Sequence, residues 1–215
     1  MINHQAAAAD SLSLPYAILA LGQSNDPTWG IDSTWSDRLY QRKALKVIDS
    51  RGRLALKAAW QAVEQATLDY SKPSFRRGIS LAVGSATMGE EDLRQAFQDG
   101  DDLPLVEKLN QHLNPLWILG RLPNIPASHL AIQFKCQGPV LTCLTVRQAL
   151  SDALDILENN EADCLLVGVS DRTSTILILA TLEFAEAHKS KVFQHISRKD
   201  YWKTWLELAP DNIYE

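Results

Sequence analysis

Residues 141–169 place the strongest constraint on what this chain can fold into. The run LTCLTV at 141–146 is short, rich in β-branched residues and almost wholly apolar, which suits a strand covered on both faces. Apolar residues then recur at Val146, Ala149, Leu150, Ala153, Leu154 and Leu157, the spacing of one helical face over 147–159. Asn159-Asn160 ends that pattern, and CLLVGV at 164–169 reads as a second buried strand. Strand, helix and strand joined by short loops form a βαβ unit, which implies a parallel sheet. The chain is expected to be α/β.

The flanking segments fit this frame. Residues 1–14 are Ala/Ser/Asp-rich and aperiodic, a loose tail ahead of one domain over 15–215. YAILAL at 16–21 reads as the opening strand, 51–67 as an amphipathic helix, and 79–83 as the next strand, closed by Gly84. Short helices are expected at 90–98 and 106–112, a strand at 175–179, and further pieces at 182–187 and 191–196. Trp202, Trp205 and Leu206 then share one helical face that must dock somewhere. Trp29 and Trp35 sit in an irregular stretch, 24–40, and could pack internally or face a partner.

Composition excludes several classes. The 215 residues suffice for one packed domain and are short for two. A net charge of −5 argues against a nucleic-acid surface. No apolar run approaches the roughly 20 residues that cross a bilayer, and Ala6–Ala9 lacks the flanks of a signal peptide. The three cysteines, Cys136, Cys143 and Cys164, include no CxxC, so neither a disulfide framework nor a zinc site is suggested. A reducing, cytoplasmic setting is expected. The acidic loop at 100–102 lacks calcium-loop spacing and reads as solvated. GSATMG at 84–89 misses both the P-loop lysine and dinucleotide spacing, so no cofactor is expected.

One resemblance runs through the central stretch. Asn114-Pro115, Pro123-Asn124, His129-Leu130-Ala131-Ile132, Gly138-Pro139, Thr142, Thr145, Asp152-Ala153, and Glu161-Ala162-Asp163 leading into Val167-Gly168-Val169-Ser170 follow in the order and spacing seen in the N-terminal half of β-ketoacyl synthases. These are condensing enzymes of the thiolase fold. The resemblance implies a thiolase-like half: a mixed, mainly parallel five-stranded sheet covered by helices, without the enzymes' C-terminal half. Counted from Gly138-Pro139, the position of the family's nucleophilic cysteine holds Arg147. An arginine there cannot be acylated, and the two catalytic histidines belong to the half that this chain is too short to contain. The helix at 147–159 also carries a polar side of Arg147, Gln148, Ser151, Asp152, Asp155 and Glu158. Such a side should not be sandwiched between two sheets, because unpaired buried charges cost several kcal/mol.

In lacking a nucleophile the chain resembles a chain length factor, the inactive partner of an active ketosynthase in type II polyketide systems. Its short form is most like the ketosynthase-like subunit of aryl polyene clusters. The resemblance implies a heterodimer with a catalytic ketosynthase, contact with an acyl carrier protein through that complex, and no cofactor or metal. It also places the interface on the strand Leu141, Thr142, Cys143, Leu144 and Thr145, with Arg147, and on a loop over 124–134. Asn124, Gln133 and Phe134 lie on that loop, the last two as guesses for the residue that ends the acyl tunnel. Two rival classes remain. In one, Cys143, or a serine, serves an acyltransferase or hydrolase, with His129 or His112 as base; in the other, the chain is an acyl-carrier-binding scaffold. Ser170-Asp171 and Ser128-His129 are adjacent only in sequence and match no nucleophile elbow.

Overall fold

A computed structural model describes residues 16–26, 48–66, 68–69, 74–84, 104, 107 and 122–209. The expected helix at 90–98 and the tryptophans at 29 and 35 lie outside these residues, as does 106–112 except for Glu107. Six strands form one sheet: β1 Tyr16–Ser24, β2 Arg77–Val83, β3 Val140–Cys143, β4 Cys164–Ser170, β5 Ser174–Thr181 and β6 Gln194–Ile196. Among the described residues five helices accompany them: α1 Ser50–Gln65, α2 Ile125–Gln133, α3 Val146–Glu158, α4 Leu182–Ala187 and α5 Tyr201–Leu208.

The strand order is β3-β2-β4-β5-β1-β6. β2 pairs in parallel with both β3 and β4, so the β3–α3–β4 crossover is the expected βαβ unit. The remaining pairs, β4–β5, β5–β1 and β1–β6, are antiparallel. The sheet is thus mixed, as expected, but it has six strands and mostly antiparallel pairs where five mainly parallel strands were expected. The reason is local. Only three residues separate β4 from β5, and Asp171 N–H closes the turn on the Thr173 carbonyl at 2.9 Å, a connection too short for anything but a hairpin.

Helices cover both faces, which is why the strands read as continuous apolar runs. One core combines Ile79, Leu81, Leu166, Ile176 and Ile178 with α1 and α2. The other combines Leu165, Val167, Val169, Leu177 and Leu179 with α3 and Trp205 of α5. β1 breaks its alternation where the register shifts between Ile18 and Ala20. Leu19 and Ala20 consequently both enter the first core.

α1 lies close on β1 because its inner face is alanine: Ala55, Ala58, Ala59 and Ala62 are fully buried. A Cβ on Gly22 would fall 1.8 Å from the Ala58 carbonyl oxygen, so only glycine fits there. The segment 124–134, expected as a loop, is the helix α2. Pro126 sits in its first turn, where a missing N–H costs nothing. At its C-terminal end Lys135 takes φ 52° and Cys136 N–H returns to the Ala131 carbonyl at 2.9 Å. Arg77, 1% exposed, donates from Nη1 to the Phe134 carbonyl at 2.8 Å and stacks on Phe75 at 4.8 Å, fastening that end to β2.

Candidate functional site

The residues singled out in the sequence converge where β3 meets α3. Thr145 caps α3, its hydroxyl accepting from Gln148 N–H at 3.2 Å. Arg147 follows in the first helical turn, exposed, with its guanidinium 5.8 Å from the Trp202 ring of α5. A cation at a helix N-terminus opposes the helix dipole; here a π face supplies compensation.

Cys143 points inward, as alternation along the strand requires, and is 3% exposed. Its Sγ lies 3.6 Å from Ser80 Oγ and donates to Asp152 Oδ2 at 3.5 Å. Burial pushes the thiol up to about 11, with the Asp152 charge adding to the rise and the Ser80 contact opposing it. A protonated thiol facing a carboxylate is a poor nucleophile. His129 cannot serve as its base. It rides on α2, which packs into the core on the other face of the sheet. There burial lowers its pKa, partly offset by Asp49. His112 lies outside the described residues.

β3 has a strand on one side only among the described residues. Ile79 N–H bonds the Pro139 carbonyl at 2.8 Å. In a parallel ladder bonding residues alternate, so Leu141 and Cys143 face β2 while Val140 and Thr142 direct N–H and C=O outward. Leu144, the first residue past the strand, is 89% exposed. Five large apolar side chains are exposed among the described residues, and four of them, Leu122, Ile132, Val140 and Leu144, come from 122–144.

The other two expected contact residues, Asn124 and Gln133, stand at the two ends of α2, exposed and half-buried respectively. Phe134 departs from expectation. It is 2% exposed, its ring set edge-on to Trp60 with centroids 5.1 Å apart, and so cannot be offered to a partner. The turn after α2 swings the ring into the core, which a loop assignment could not foresee.

Sequence reasoning missed a polar network at the carboxyl ends of β2 and β4. Arg51, 5% exposed, pairs with Asp49 at 2.6 Å and donates to the Gly84 carbonyl at 2.8 Å. The fully buried Ser170 hydroxyl donates to the Arg51 carbonyl at 2.7 Å, so this serine is engaged in structure. Asp171 folds over Gly84, where any Cβ would lie 2.3 Å from its carboxyl carbon. The juxtaposition of a strand-ending glycine with Ser-Asp was the available signal. Among the described residues no cluster of three His, Cys, Asp or Glu could hold a metal, and no helix is long and apolar enough to cross a membrane. A cleft of about 640 Å³ lined by Leu157, Asn160, Ala162, Asp163 and Phe184 lies at the opposite end of β4.

Residues 31–201 match the family model described as Beta-ketoacyl synthase, N-terminal domain. A 3-oxoacyl-[acyl-carrier-protein] synthase 2 from Staphylococcus aureus is 23% identical over 150 residues, covering 68% of this chain and 36% of that protein. A protein of the same name from Coxiella burnetii is 23% identical over 172 residues, covering 78% and 38%. The chain thus spans little more than a third of the length of these relatives. A solved structure described as a type II PKS acyl-carrier protein in complex with its ketosynthase, bound to the hexaketide, superposes with a TM-score of 0.64 at 14% identity, over 86% of this chain and 67% of its counterpart. At that identity the likeness concerns the fold.

Proposed function

The chain belongs to the β-ketoacyl synthase N-terminal domain family, and we propose that within it this protein is a non-catalytic subunit of the chain length factor kind. It pairs with an active ketosynthase and forms part of the wall of that enzyme's acyl tunnel, in polyketide elongation of the aryl polyene type. The observation that carries this reading is Arg147 at the position the resemblance assigns to the nucleophile, with Cys143 nearby buried and protonated. The partner supplies the cysteine and both histidines, and the acyl carrier protein docks on the complex.

The open β3 edge supports the pairing. Outward N–H and C=O groups at Val140 and Thr142, flanked by exposed Leu122, Ile132 and Leu144, offer what strand addition needs. The mechanism is excluded volume. A ketosynthase needs a dry tunnel of defined shape, and a wall that stops the growing chain sets product length by rejecting longer ones.

Co-expression with a catalytic ketosynthase of the same organism, followed by size-exclusion chromatography with mass determination, tests this. A one-to-one heterodimer is expected. A lone monomer, a homodimer or a complex with acyl carrier protein alone would remove the subunit reading. Labelling of Cys143 by an acyl thioester probe on the folded chain would restore the acyltransferase alternative.

A further inference from the structure

Resting on the subunit reading above, we infer that Leu144 is the side chain this protein lends across the interface to bound the partner's acyl tunnel. Three observations converge on it. Leu144 is the most exposed large apolar residue among those described, at 89%. It is the first residue past the carboxyl end of β3, and ligands of open α/β sheets sit outside the carboxyl ends of strands. It also stands on the edge that has no partner strand among the described residues, three positions before Arg147.

Its backbone is held from both sides. Cys143 is buried and bonded to Asp152 at 3.5 Å. Thr145 caps α3 through its hydroxyl. The leucine cannot turn inward, so it is presented at low entropic cost to whatever binds the edge. The alternatives are weaker on geometry. Phe134 is enclosed against Trp60, and Ile132 lies near the end of α2 that Arg77, the first residue of β2, fastens through the Phe134 carbonyl.

The test uses the co-expressed complex supplied with acyl carrier protein and malonyl groups, reading carrier-bound products by mass spectrometry. Leu144→Ala is expected to shift the main product to longer chains and Leu144→Trp to shorter ones, while Phe193→Ala, an exposed apolar residue beside β6 at the other edge, leaves the distribution unchanged. Should the tryptophan prevent association, Leu144→Met joins the alanine variant in carrying the measurement. If the wild-type chain forms no complex, the subunit reading itself fails. If the complex forms and neither Leu144 substitution moves product length, or Phe193→Ala moves it equally, the assignment to Leu144 is overturned. Loss of association in every Leu144 variant makes it an affinity anchor only, and also overturns the tunnel role.

Discussion

The two edges of the sheet are finished differently. At the β6 edge the strand is three residues long, and Lys191, exposed His195 and Lys199 surround it. Short length and charge are the usual ways to keep an edge from pairing. Behind it the chain closes on itself. Arg198 forms ion pairs with Asp155 and, at 2.8 Å, with Glu158 of α3; Tyr16 donates to the same Glu158; and Trp205 is fully buried under α5. At the β3 edge the strand is also short, at four residues, but its outer side is finished differently. Val140, Thr142 and Leu144 carry no charge, and all three are exposed. Among the described residues, one edge of the sheet is built to stay alone and the other is left open. An open, apolar edge is an aggregation hazard unless a partner occupies it.

The largest expected effect lies on the closed side. Trp205→Ala removes a wholly enclosed indole from the α3 core and should cost roughly 3–5 kcal/mol of stability. Urea titration would measure it. A loss below about 1 kcal/mol would mean that α5 is only loosely laid on α3 and that the two sides differ less than their geometry says. On the open side, Val140→Lys combined with Thr142→Lys should leave the melting temperature of the free chain nearly unchanged, because both side chains are exposed. Affinity for the proposed ketosynthase partner should fall at least about tenfold, or about 1.4 kcal/mol. His195→Lys on the other edge is the control, with no change expected. Equal losses at both edges would erase the contrast.

Much of this contrast was legible in the residues. The βαβ unit, the inward turn of Cys143 and the polar side of α3 all follow from periodicity, and Arg147, Gln148 and Glu158 are indeed exposed. The antiparallel side was not legible. β4 and β5 are similar apolar runs, and only the three-residue spacing at 171–173, rather than hydrophobicity, records that they form a hairpin. α2 escaped notice because Pro123 and Pro126 look like breakers, although Asn124 and a proline in the first turn are also a helix start. Phe134 was misjudged with it. The Arg51–Asp49–Gly84–Ser170 network joins segments up to 121 positions apart, and no local pattern encodes that.

The smallest effect expected concerns the thiol at the junction between the two sides. Cys143 is raised from 9.0 to about 11 by burial, with Asp152 adding to it. A thiol whose folded pKa exceeds its unfolded value binds its proton more tightly in the native state. Its contribution is therefore complete below about pH 9 and lost as pH rises toward 11. On the order of 1 kcal/mol should disappear across that window, and Cys143→Ala should flatten that part of the stability curve. The same thiol should resist alkylation at pH 8 in the folded chain and react readily in urea. Fast alkylation of the native protein would mean that the junction opens to solvent, and β3 would then be a mobile edge in place of the rigid platform that presents Leu144.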